Sequence, residues 1–254
     1  MPSDDVADQL RHLGFRASVS ALRALIEHAT LSRLGPTETC EKLVEMERRE
    51  REARNLATRT RQATLGKFTS IDRFDWNHPR KINRALYEQL HSTLDFIEQG
   101  ENVLLRGPSG VGKTTLAQNL GLAAITRGYS VRFSTLAAIL TDLLRRESVP
   151  ALERCLRQRY LGPKLLIVDE IGYLPCDSRS ADLLYNVVNR RHESKSVVIS
   201  TNLPFKQWGT VFPGAACVAA LVDRFVQHCH VIDIDADSWR QRSQAANPSP
   251  KKAT

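Results

Sequence analysis

The stretch LLRGPSGVGKTTLA, residues 104–117, halts an apolar run with glycines and a proline, then resumes on Lys113 with helix-forming residues. Gly107 and Gly112 frame four residues ahead of Lys113 and Thr114, the spacing G-x-x-x-x-G-K-[ST] of a P-loop. Glycine admits backbone torsions that a Cβ forbids, so successive N–H groups turn inward around phosphate oxygens. A helix opening near Lys113 adds the positive end of its dipole to that nest. In such a loop Lys113 reaches the β- and γ-phosphates, the Thr114 hydroxyl ligates Mg²⁺, and Thr115 adds a bond to the α-phosphate. Gly107, Pro108, Ser109, Gly110, Val111, Gly112, Lys113, Thr114 and Thr115 are thus the expected nucleotide-binding residues.

Around this loop the chain alternates helix and strand. A helix over 84–99 precedes a strand at 102–106, and the loop leads into a helix over 113–127. Further strands are expected at 130–135, 164–169, 196–201 and 229–234, with helices near 136–146, 151–160, 179–192 and 217–227. Short apolar strands separated by helices predict an α/β fold whose five-stranded parallel sheet is covered on both faces.

Binding a nucleotide does not specify a reaction; the strand ends do more. KLLIVDE (164–170) closes an apolar strand with two adjacent carboxylates. Asp169 suits the task of holding Mg²⁺ through its water shell. Glu170 suits polarisation of an attacking water, which favours a hydrolase over a kinase. The alternative is an acidic strand end without a role. Only one strand, SVRFS, intervenes between the two motifs, as in the P-loop class that hydrolyses with a glutamate. VVISTN (197–202) ends the next strand on Asn202, at the carboxyl edge where ligands of open α/β sheets gather. Asn202 there senses the γ-phosphate or the lytic water, unless it is simply a turn residue before Leu203-Pro204. Arg224, just before the last strand, is the candidate arginine finger, a group often supplied by a neighbouring subunit. A surface ion pair with Asp223 or another acid is its alternative reading, and Arg190 and Arg191 are rivals for the finger role.

Residues 1–66 read as a small helical domain. SVSALRALIEHATLSRL spaces apolar residues at helical intervals, Gly35-Pro36 punctuates, and TETCEKLVEMERREREARNLATRTR continues as a charged helix. A DNA-binding helix-turn-helix and an ordinary αα-hairpin share that pattern. Residues 66–83 form a linker whose Phe68, Ile71, Phe74 and Trp76 should pack onto the main domain, 67–240; the tail 241–254 reads as disordered. The five cysteines are scattered without a CxxC pair, and fit neither a disulfide framework nor a zinc site. No apolar run is long enough for a membrane span and no signal peptide is evident, so a cytoplasmic location is expected. The net charge of +8 favours a polyanionic partner. Residues 1–66 hold 11 Lys/Arg against 10 Asp/Glu, leaving 25 against 18 in residues 67–254, so the excess belongs to the larger region. Arg145, Arg146, Arg154, Arg157 and Arg159 form a basic cluster there, either a DNA-facing surface or a solvated helix face.

GPSGVGKTTLA, LLIVDEIGYLP, TNLPFKQWG and DRFVQHCHVIDI together resemble the IstB-like ATP-binding proteins of insertion sequences, near the DnaC-type helicase loaders among the AAA+ ATPases. The resemblance covers about residues 68–240. It implies ATP and Mg²⁺ as ligands, with Lys113, Thr114, Asp169, Glu170, Asn202 and Arg224 in the roles set out above. It also implies an ATP-dependent helper that assembles on DNA, as duplex and with little sequence specificity, and that recruits or stimulates a partner transposase. Only about 20 residues follow the last strand, too few for the helical lid that many AAA+ proteins append, so a second copy of the chain is expected to close the site. The alternatives are a replicative helicase loader and, from another class, a P-loop small-molecule kinase.

Overall fold

A computed structural model describes residues 5–172 and 177–239. The chain divides into two compact units, Met1–Thr58 and Arg59–Thr254. Residues 59–66 thus go with the larger unit, because Ala63 and Leu65 are buried in its core. The expected disordered tail, 241–254, lies outside the described residues, as does the region where a lid would begin.

In the smaller unit α1 (Val6–His12) and α2 (Val19–Leu31) precede α3 (Pro36–Ala63), whose residues 59–63 belong to the larger unit. Ser18 caps α2 through its side chain, accepting from the N–H of Ala21 at 3.2 Å. The buried core is small: Ala7, Ala17 and Leu22, with Phe15, Ile26 and Met46 packed against them. Glu47 stiffens it by accepting the N–H groups of Arg16 and Ala17 at 2.7 and 3.0 Å. Along α3 the charges pair at i,i+4, as in Lys42–Glu38 and Arg54–Glu50. Such pairs support an exposed helix by a few tenths of a kcal/mol each.

The larger unit opens with the segment expected to pack down, and it does so. Phe68, Ile71, Phe74 and Trp76 lie against the main core. Two polar residues of the P-loop helix hold that segment: Asn119 accepts the N–H of Ile71 and donates to the carbonyl of Thr69, both at 2.9 Å, and Gln118 donates to the carbonyl of Leu65 at 2.7 Å. A short strand β1 (Lys81–Ile82) follows, then α4 (Arg84–Thr93) and α5 (Asp95–Glu98). The single helix expected over 84–99 is therefore broken, at Leu94, whose φ is +59°. Then come β2 (Asn102–Arg106), α6 (Lys113–Thr126), β3 (Val131–Thr135), α7 (Leu136–Leu144) and α8 (Val149–Cys155), which runs on into a π-helical turn, Leu156–Leu161. β4 (Leu165–Ile171), α9 (Ser178–Arg191), β5 (Ser196–Thr201), α10 (Trp208–Val211), α11 (Val218–Val226) and β6 (Cys229–Asp235) complete the unit.

The sheet is six-stranded and mixed, in the order β1-β6-β2-β5-β4-β3, which corrects the expected five parallel strands. β2 through β6 pair in parallel, and β1 adds an antiparallel edge by matching Lys81 to Asp235 and Ile82 to Ile234. Two residues carry no periodic signal, which is why the edge strand escapes sequence reading. Along the strands side chains alternate between two cores. Val103, Leu105, Leu165, Ile167 and Val198 face the α6 side with Leu116 and Leu120. Leu104, Leu166, Val168, Val197 and Ile199 face the α7, α9 and α11 side with Leu140, Leu184 and Phe225. Both faces are buried, so these strands read as continuous apolar runs.

Candidate nucleotide-phosphate site

Between β2 and α6 the chain turns as the glycines require. Gly107 donates its N–H to the carbonyl of Thr201 at 3.1 Å, joining the loop to β5. Gly112 has φ +96°, and a Cβ there would sit 2.6 Å from Cε2 of Phe74. That glycine caps α6 with no side chain on the first-turn N–H groups, which leaves the positive end of the helix facing the loop. The Lys113 ammonium reaches back to the carbonyls of Gly107 and Pro108, at 2.7 and 2.6 Å.

Beneath the loop the Thr114 hydroxyl donates to the carboxylate of Asp169, 3.0 Å from Oδ2. Asp169 is buried and also accepts the hydroxyl of Ser200 at Oδ1. Glu170 next to it is exposed, with φ +64°. The pairing of β4 with β5 slips between Val168 and Ile171. Leu165 and Ile167 point to the α6 core, whereas Ile171 is buried with Leu166 and Val168 on the other face. One residue has thus been added to the strand, and such a bulge re-aims a side chain. Glu170, which an unbroken strand would turn into the α7–α9 core, lines a cavity instead.

That cavity, of about 240 Å³, is bounded by Ser109 through Thr115 together with Glu170, Ser200 and Asn202. Ser109 through Thr115 of the P-loop, Glu170 of β4 and Asn202 beyond β5 therefore meet around one space, whereas Gly107, Pro108 and Asp169 do not line it, Asp169 reaching it through its contact with Thr114. Arg224 is not among the lining residues; it is exposed on α11 and makes no ion pair with a described residue, Asp223 included. Its two rivals are otherwise engaged. Arg190 grips Glu153 with bonds of 2.7 and 2.9 Å. Arg191 is buried and donates to the carbonyls of Tyr160, Pro163, Lys164 and Ser196, which fastens the entrances of β4 and β5 together. Burial lowers its pKa to about 9.

Sequence reasoning missed the far wall of the cavity. Thr69, Arg73, Phe74, Asp75 and His78 line it from the segment before α4, and Trp239 from the chain beyond β6. Trp239 donates its backbone N–H to the carbonyl of Gly110 at 3.0 Å, and its ring meets that of His78 edge-on at 4.9 Å. The aromatic run FDWNH, packed down beside the P-loop, was the available signal.

The basic cluster between β3 and β4 is largely paired. Arg146 and Arg159 both bind Asp142, and Arg157 binds Glu153. Although burial pushes the Asp142 carboxyl up, bonds from Cys155, Tyr160, Arg146 and Arg159 outweigh it and draw the pKa down to about 2. Arg145 and Arg154 are exposed and form no ion pair with a described residue.

The donors at the loop fit a magnesium ion. Among the described residues no three His, Cys, Asp or Glu side chains cluster to cage a metal. Magnesium instead takes one carboxylate or two, with oxygens of a bound phosphate, and Thr114 and Asp169 offer hard oxygen atoms side by side. Among the described residues no helix is long and apolar enough to cross a membrane.

Comparison with known proteins places the chain in a family. Residues 8–247 match the family described as IstB-like ATP binding protein. The chain is 34% identical over 230 residues to the insertion sequence IS5376 putative ATP-binding protein of Geobacillus stearothermophilus, covering 90% of each. It is 32% identical to the IS21 putative ATP-binding protein of Pseudomonas aeruginosa, over 93% of this chain and 86% of that one. Among solved structures, AMPPCP-bound DnaA from Aquifex aeolicus superposes with a TM-score of 0.57 at 20% identity, over 72% of this chain and 56% of that one. DnaI superposes at 0.52 and 16% identity, over 67% and 89%. At those identities the likeness is one of fold.

Proposed function

The chain belongs to the IstB-like ATP-binding proteins, and from that premise we propose that it is a Mg²⁺-dependent ATPase that assembles on DNA and recruits or stimulates a partner transposase. The observation that carries the reading is the contact of Thr114 with Asp169 beneath a P-loop, with Glu170 and Asn202 on the same cavity.

In this reading the loop N–H groups and the start of α6 hold the phosphates, and Lys113 exchanges its two loop carbonyls for β- and γ-phosphate oxygens. Thr114 and Asp169 hold the metal, which when bound neutralises charge developing on the phosphates. Glu170 takes a proton from the attacking water, and Asn202 aligns that water against the γ-phosphate. Arg224, outside the lining of its own cavity, serves a neighbouring copy. His78 and Trp239, which also line the cavity, are the candidates to contact the base. The names of the relatives and the basic excess of residues 67–254 support DNA and an insertion-sequence transposase as partners.

The test is release of phosphate from ATP, with DNA retardation and sedimentation measured in ATP, in ADP and without nucleotide. Glu170→Gln should retain ATP and hold DNA in a larger, longer-lived complex than wild type, and added salt should weaken it steeply as counterions return to the phosphates. Identical DNA affinity and particle size in all three nucleotide states would refute the assembly model. Capture of a replicative helicase in place of the transposase would assign the chain to helicase loading.

A further inference from the structure

We propose that Ser200 is a positioning residue that couples the two carboxylates of the site, one hydroxyl setting both the orientation of Asp169 and the backbone of Glu170. The inference rests on the ATP-hydrolysing reading above.

Ser200 lies near the end of β5 and is 1% exposed. Its hydroxyl donates to Oδ1 of Asp169 and accepts the N–H of Glu170 at 3.0 Å. A hydroxyl carries one proton and two acceptor lone pairs, so both bonds form at once on one atom. The register explains why this residue is within reach. Val168 pairs with Ile199, so Asp169 and Ser200 come next, side by side on the α6 face with Ile167 and Val198.

Each bond answers a need that the fold creates. Ser200 donates to Oδ1, while the Thr114 hydroxyl spans the carboxylate, 3.0 Å from Oδ2 and 3.3 Å from Oδ1, so the Ser200 bond sets the tilt at which Oδ2 meets Thr114 most closely. At Glu170 the strand departs from its pairing with β5, so the N–H lacks a ladder carbonyl. An N–H left without an acceptor at the end of a sheet is costly, and the Ser200 side chain supplies the acceptor that the bulge removes. The same contact fixes the φ of +64° that turns the Glu170 side chain towards the cavity. An apolar residue of the same size would leave the sheet intact while freeing both carboxylates.

Strand β5 also provides its own control. Ser196, at the opposite end, is fully buried and donates to the carbonyl of Phe96 at 2.7 Å, so Ser196→Ala removes a comparable bond far from the site. The measurement is calorimetric affinity for a non-hydrolysable ATP analogue with and without Mg²⁺, together with kcat for phosphate release. Ser200→Ala should lose on the order of tenfold of the Mg²⁺-linked gain in affinity and on the order of tenfold in kcat, the usual scale for groups that orient a metal ligand. Ser200→Thr, which keeps the hydroxyl, should restore both, and Ser196→Ala should lower thermal stability while leaving the Mg²⁺ linkage at its wild-type value. A folded Ser200→Ala protein with wild-type linkage and kcat overturns the proposal. Should that variant not fold, Ser200→Cys fills the same space with a weak donor, and wild-type linkage in it overturns the proposal equally. Wild-type protein that shows no Mg²⁺-linked gain at all would instead overturn the ATPase reading.

Discussion

Replacing Glu170 by glycine should make the protein more stable and less active, and the size of the first effect follows from one torsion. A left-handed backbone costs a residue with a Cβ about 1–2 kcal/mol, and Glu170 holds φ at +64°. Glycine adopts that torsion freely but gives the unfolded chain extra entropy, at a cost of about 0.4–1 kcal/mol. The side chain is exposed, so little packing is lost on removing it. The net expectation for Glu170→Gly is a gain of roughly 0.5–1 kcal/mol, or about 1–4 °C in Tm for a domain of this size class. Glu170→Ala keeps the Cβ and with it the strain. Glycine should therefore exceed alanine by about 1 kcal/mol, whereas in a regular strand it falls below alanine by about 0.5–1 kcal/mol.

The sign of that difference is the test. Thermal unfolding without nucleotide reads the stability of the two variants and of Glu170→Gln. Phosphate release should fall in all three by on the order of 10²–10⁴, the usual contribution of a general base, while nucleotide binding persists. An unstable glycine variant with a stable alanine variant would show that no strain is stored at Glu170, and unchanged phosphate release would remove its catalytic role. Strain held at a working residue and relieved only by losing the work is the expected balance between stability and activity.

What the sequence makes legible here depends on how local the cause is. β2 and β5 fall at the expected residues, 102–106 and 196–201, because a strand buried on both faces needs an unbroken apolar run and such runs end abruptly. The P-loop is equally local, since its glycines answer to torsions and close contacts within the loop itself. The break at Leu94 depends instead on a left-handed cap for α4, for which leucine gives no signal. The bulge at Glu170 depends on how β4 meets β5, about 30 residues along the chain, and nothing in VDEIG announces it. His78 approaches the carbonyl of Asp237 across 159 positions, so the far wall of the cavity exists only in the folded protein. The arginines show the same limit. Sequence placed Arg190, Arg191 and Arg224 together as candidates, and burial with hydrogen bonding separated them.

Three further outcomes are expected. Lys113→Ala should abolish ATP hydrolysis with the fold intact, as circular dichroism and phosphate release would register together; unchanged hydrolysis would remove the P-loop argument. Asp142→Asn should abolish a stabilisation of on the order of 1 kcal/mol that wild type loses as pH falls from about 4 to about 2, because the carboxyl is held below its unfolded value and its bonds vanish on protonation; parallel acid-unfolding curves for the two proteins would refute it. Arg224→Ala should bind ATP normally yet hydrolyse it more slowly, by on the order of 10³-fold if the guanidinium neutralises transition-state charge. Arg224 does not line the cavity of its own chain, and in the proposed reading it serves a second copy. Mixing Arg224→Ala with Lys113→Ala then allows one interface in which an intact P-loop from the first meets an intact arginine from the second. Recovery of activity that depends on the mixing ratio would establish that shared site. Exchange of subunits without recovery would leave Arg224 acting within its own chain or not at all.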